Sequence, residues 1–192
     1  MRWDALFADL EAAAAGEWLR ERDAEIAERT RAELGRVRLV DRLRAVADRG
    51  SAGDHADVTV RVFGAGTLRG AVTRVTDEWF LLETPAYEWV VAIDAVLGLR
   101  GLPPAARTPE SQSAVSAGLG WGAAWRVLAR DRTSVHVVRR DGEAVAGVPG
   151  RVGHDFVELS DVDGTGRAVE VVPHPAVAAV RCPREVAPPP VG

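Results

Sequence analysis

The chain has 192 residues, of which 47% are hydrophobic, and its 24 basic and 28 acidic residues leave a net charge of -4. That length buries one or two small cores. The negative balance excludes a protein that coats nucleic acid by bulk attraction, because phosphate binding needs a positive field. Cys182 is the single cysteine, which excludes an internal disulfide and a thiolate metal cluster and fits a cytoplasmic chain. Every basic residue is Arg and Asn is absent, a bias expected of a GC-rich bacterial genome, so Arg usage alone carries no functional weight.

Residues 1–49 are expected to be an N-terminal helical region. Trp3, Leu6, Phe7 and Leu10 recur at spacings of three and four, and the face returns with Trp18, Leu19, Ile26, Leu34, Val37, Val40 and Leu43. Gly16 and Gly35 each cost about 1 kcal/mol in a helix interior, which predicts a break near one of them. Asp4, Asp9 and Glu11 occupy the first turns, and no apolar run is long enough for a signal peptide or a span, so no membrane association is expected. Between Arg29 and Arg44 the charges are Arg29, Arg31, Arg36, Arg38, Arg42 and Arg44 against Glu33 and Asp41. Such a helix offers phosphate contacts, against the plainer reading of a solvated, salt-bridged face.

Residues 50–102 are expected to fold as a small five-stranded barrel. His55, in a polar loop between Asp54 and Asp57, is read as a loop neighbour and not as a metal ligand. Val58, Val60 and Val62 alternate with Thr59 and Arg61, the period of a half-buried strand. Gly64 and Gly66 turn the chain. Leu68, Gly70, Val72 and Val75 form a second strand with room for a bend at Gly70. Trp79 to Leu82, Glu88 to Ile93 and Ala95 to Leu99 supply the other three.

A Pro- and Ser-rich linker is expected at 103–120, then a helix from Trp121 and a second barrel, together 121–183, and a disordered tail at 184–192. The second barrel repeats the first. Val58, Val60, Gly70, Arg74, Val75, Trp79 and Leu82 match Val135, Val137, Gly147, Arg151, Val152, Phe156 and Leu159 at a constant offset of 77. Val90, Val91, Ala95 and Val96 match Val171, Val172, Ala176 and Val177 at an offset of 81, with the added residues in a hairpin tip between Ser160 and Arg167. Two copies of one unit are expected to adopt one structure.

The alternating first strand, Leu68-x-Gly70-x-Val72 on a bent second strand, Asp77 before an aromatic, apolar third strand, and Ala95-Val96 before the last strand together resemble the Sm-like (LSm/Hfq-like) superfamily. The resemblance covers roughly 45 residues of each copy. It implies two tandem five-stranded bent barrels in a mainly β chain with N-terminal helices, a tendency to form rings, and frequent RNA binding. Where Hfq-like proteins carry a polar aromatic-Lys-His cluster, this chain has Ala92, Ile93 and Asp94, which neither stack a base nor hold a phosphate. His174, between two prolines near the same place in the second copy, is the one histidine with a case for ligand contact.

No arrangement of nucleophile, base and partner is legible, so no enzyme, catalytic residue, cofactor or metal is expected. Asp161 to Gly166 lacks the carboxylates of a calcium loop and is read as a hairpin. Gly64-x-Gly66-x-x-x-Gly70 precedes no helix and so is no phosphate cradle. Tyr87 and Trp89 flank a strand expected to be a barrel-to-barrel edge, where aromatics are enriched as interface residues. The expected function is a non-catalytic assembly protein that associates through barrel strand edges, including self-association, and docks a protein partner by its N-terminal helix. The alternative is an RNA- or DNA-binding regulator using Arg29, Arg31, Arg36, Arg38, Arg42 and Arg44.

Overall fold

The computed structural model describes residues 2–53, 57–103, 106, 119–160 and 168–184. The loop at His55, most of the linker at 103–120, the hairpin tip from Asp161 to Arg167 and the tail beyond 184 lie outside the described residues. The chain divides into two compact units, residues 1–38 and 39–192.

The first unit holds one helix, α1 (Arg2–Leu34). It runs unbroken through Gly16, because four alanines before that glycine supply strong helix propensity against its single unfavourable residue. It stops at Gly35, whose N–H donates to the Arg31 carbonyl at 3.0 Å. Trp18, Ile26 and Leu34 on it are exposed. The helical region expected at 1–49 is therefore two elements in two units, since α2 (Leu39–Ser51) belongs with the strands. On α2, Val40, Leu43, Val46 and Ala47 recur at helical spacing and are buried, packed toward the second strand.

Ten strands follow in one open antiparallel sheet, so the chain is mainly β with N-terminal helices. They are β1 (Asp57–Val62), β2 (Gly66–Val75), β3 (Trp79–Glu83), β4 (Tyr87–Ala92), β5 (Val96–Arg100), β6 (Val135–Arg139), β7 (Ala144–Val152), β8 (Phe156–Ser160), β9 (Ala168–Pro173) and β10 (Val177–Pro183). A third helix, α3 (Trp121–Arg130), precedes β6 and packs on β7 as α2 packs on β2. The strand order is β5-β1-β2-β3-β4-β10-β6-β7-β8-β9, the same five-strand order twice. A 3-10 turn joins the fourth strand to the fifth in each half, Ile93–Ala95 and His174–Ala176.

The repeat is visible in the ladders themselves. Val58 pairs with Gly70 and Val135 with Gly147; Val72 pairs with Leu82 and Pro149 with Leu159; Phe80 pairs with Val91 and Val157 with Val172; Val60 pairs with Leu99 and Val137 with Val180. Each second-half pair is its first-half counterpart moved by the offsets of 77 and 81. Even the irregularities recur, a bulge following Val72 in β2 and another following Pro149 in β7. Gly70 and Gly147 occupy one structural position: a Cβ on either would run into the backbone of the third strand, at the carbonyl oxygens of Glu83 and Ser160 respectively. Only glycine admits that approach.

Alternation on these strands sends one face into a single core. Val58, Val60, Phe80, Leu82 and Val91 in the first half and Val135, Val137, Val157, Leu159 and Val172 in the second are fully buried. Leu43 of α2 and Trp125 of α3 close the two ends of that core in matching positions. Trp121 is also buried and stacks on Trp125 with ring centroids 5.7 Å apart. Trp79, expected in the core, is half-buried and packs at its margin, as does its match Phe156.

Candidate assembly interface

The two halves meet where β4 pairs with β10. The register sets Val91 against Ala179, Val90 against Val180, Trp89 against Arg181 and Glu88 against Cys182. Tyr87 and Trp89, the candidate interface residues, therefore lie on the strand that joins the halves. The Arg181 guanidinium lies 4.6 Å from the Tyr87 ring centroid and 5.8 Å from that of Trp89, within cation–π range of both. The buried Cys182 thiol is pushed up to about 11, chiefly by burial and secondarily by the Glu88 carboxylate, so it stays protonated and is a poor nucleophile.

Three further contacts tie this seam. Thr76 accepts hydrogen bonds from the N–H groups of Glu78 and Trp79 at 3.2 and 3.0 Å, which fixes the β2–β3 turn and aims Glu78 outward. Glu78 then accepts from the Trp121 N–H at 2.8 Å. The N-cap residue of α3 is Gly120, with no side chain to do this, and a carboxylate at a helix N-terminus both satisfies an orphan donor and suits the helix dipole. Asp94, in the first 3-10 turn, accepts from Arg140 at 2.5 Å. Gly64, at φ +78°, lies so close to the Arg139 carbonyl that any Cβ would collide with it.

A cleft of about 410 Å³ opens beside the seam, lined by matching turns of both halves: Asp77 and Glu78 with His154 and Asp155, Asp94 with His174. Burial holds the His174 imidazole below its usual range against the opposing pull of Phe156, Glu78 and Asp155, so it stands neutral at pH 7. Among the described residues no three His, Cys, Asp or Glu side chains converge on a metal position.

The outer strands of the sheet are β5 and β9, and among the described residues neither has a strand partner on its outer side. These are the second copies of the strands at the seam, β5 corresponding to β10 and β9 to β4. Val90 is 8% exposed and its match Val171 is 53% exposed. Ala178 is fully buried and its match Leu97 is 59% exposed.

The six candidate arginines are divided between the two units. Arg29, Arg31, Arg36 and Arg38 are exposed in the first unit, Arg29 reaching Glu33 at 3.8 Å. Arg42 donates to the carbonyls of Leu102 and Pro103 at 3.3 and 2.8 Å. Arg44 is 6% exposed and bridges Asp41 on its own helix and Asp77 on the β2–β3 turn, at 3.3 and 3.1 Å. Those two hold α2 on the sheet. Glu78, Asp94, Arg140 and Gly64 went unread in the sequence, although a signal existed. Asp94 and Arg140 match Pro175 and Phe63, positions where a repeat that conserves its core changes chemistry outright.

Among the described residues no helix is long and apolar enough to cross a membrane. Set against models of known protein families and against curated proteins, the chain matches none.

Proposed function

We propose that the chain is a non-catalytic, cytoplasmic assembly module of the Sm-like kind, in which two bent barrels offer strand edges for association and α1 docks a protein partner. The observation that carries this reading is the pair of matched exposures. Residues that lie buried at the seam between the halves have apolar counterparts, Leu97 and Val171, lying bare on β5 and β9. Unpaired strand edges are templates for another strand, and natural proteins blunt them with charge or proline unless they are used. The repeated bulge in β2 and β7, with Gly70 and Gly147 beneath it, supports bent barrels whose fourth strand is left for a neighbour.

Size-exclusion chromatography with light scattering tests the reading: a species larger than one chain is expected at micromolar concentration, and a monomer throughout that range would count against it. The competing reading, RNA or DNA binding, draws on the exposure of Arg29, Arg31, Arg36 and Arg38. Its mark is affinity that falls steeply as salt rises. Binding unaffected by replacing Arg31, Arg36 and Arg38 with Glu would remove it.

A further inference from the structure

We infer that the occupant of the two outer edges is a second copy of this chain, joined head to tail, with β5 of one copy antiparallel to β9 of the next and Arg100 opposite Glu170. This rests on the assembly reading above and specifies the partner and the register. The seam supplies the template. Moving its two strands by the offset of 81 converts Val90 opposite Val180 into Val171 opposite Leu99, and Trp89 opposite Arg181 into Glu170 opposite Arg100.

Both resulting pairs are complementary. Leu99 and Val171 are apolar residues across a ladder. Arg100 and Glu170 are opposite charges directly opposed, the arrangement that stabilises cross-strand neighbours. Arg100 makes no ion pair among the described residues, and Glu170 is held on one side by Arg139, with acceptor capacity to spare for a second guanidinium.

A second pair of positions says why the halves alternate. The Phe63 N–H donates to Ala95 at 2.8 Å and the Arg140 N–H to Ala176 at 3.0 Å, so Phe63 and Arg140 are structural equivalents. Asp94 and Pro175 are likewise equivalent, each the middle residue of its 3-10 turn. Inside the chain the pair is Asp94 with Arg140. Between chains it becomes Pro175 with Phe63, both exposed, Phe63 at 49%. Each junction matches within itself, and crossing them would set a charge against an apolar partner. A first half therefore meets only a second half. The contact is heterologous, so copies add in one direction, into a ring or an open filament.

The test uses charge reversal in the full chain. Arg100→Glu alone sets like charges across the junction, as does Glu170→Arg alone, and each is expected to raise the dissociation constant of self-association by about tenfold or more in sedimentation or light scattering. Mixing the two variants pairs opposite charges at every junction and is expected to return assembly to within a few-fold of the unaltered chain. Because Glu170→Arg also disturbs Arg139, a second set uses exposed positions only. Phe63→Arg should weaken assembly, and adding Pro175→Asp, which copies the internal pair, should restore it. If the unaltered chain is monomeric, the assembly reading and this register fall together. If it assembles but neither set weakens it, or weakening is never rescued, assembly stands and this register is overturned.

Discussion

At the β4–β10 seam and along the outer edges of β5 and β9 the same positions of the same repeat meet opposite fates. Val90 is covered and Val171 is not; Ala178 is covered and Leu97 is not. The residues are of one chemical kind in each comparison, so the difference in burial comes from what lies beside the strand and not from the strand. A covalent connection puts a β10 beside β4 at effectively fixed concentration, whereas β5 and β9 must obtain their neighbour from solution. The closed seam thus shows what the open edges are built to do.

The largest effect should come from putting a charge on each side of that comparison. Val180→Asp buries an unpaired carboxylate in the seam and is expected to cost about 4 kcal/mol or more, a large part of a domain's whole stability, read as a lowered urea midpoint. Val171→Asp alters the equivalent ladder on the open side, where the side chain is already wet. It should move the urea midpoint by no more than about 0.5 kcal/mol while abolishing association in light scattering. Equal effects on both readouts would erase the distinction between seam and edge.

A finer division uses two glycines of one turn. Gly64 and Gly66 both have φ near +78°, where an added Cβ is strained, but Gly64 abuts the Arg139 carbonyl and Gly66 faces open space. Gly66→Ala should cost about 1 kcal/mol for its backbone alone. Gly64→Ala should cost at least about 1 kcal/mol beyond that, because the seam must part to admit a methyl group. Thermal unfolding of both variants gives the difference, and matching values would mean the halves yield there without resistance.

The repeat was legible because burial at Val58, Val60, Phe80 and Leu82 forces the same residue types at Val135, Val137, Val157 and Leu159. Strand positions followed from alternation, and the pairing register follows from the repeat offsets. What stayed hidden was the sharing of strands. Each half was expected to be a barrel on its own, yet its fourth strand pairs outside it, and a period-two pattern is identical whether the neighbour is near in sequence or far. The arginine cluster misled for a related reason: spacing placed Arg42 and Arg44 near the other four, but their partners, Leu102, Pro103 and Asp77, are distant in sequence and decide their role. Tyr87 and Trp89 were marked as edge residues by type, while Arg181, which stacks on them, lay in a different repeat.

The smallest effect concerns Cys182, which sits in the seam opposite Glu88. Its match on the open edge is Gly101, so only the closed side carries a titrating thiol. Folding favours the neutral thiol, whose folded value is about 11 against an ordinary 9.0. The stabilisation is therefore complete below pH 9 and is lost as pH rises through 11, amounting to about 1 kcal/mol at pH 10. Urea midpoints of the unaltered chain and of Cys182→Ala should accordingly converge between pH 8 and pH 10.5, once the pH-independent packing difference is subtracted. In the same range an alkylating reagent should modify Cys182 far more slowly in the folded chain than in urea. Rapid modification at pH 8 in the folded chain would mean that β4 and β10 part readily, and the seam would then be no firmer than the edges it is set against.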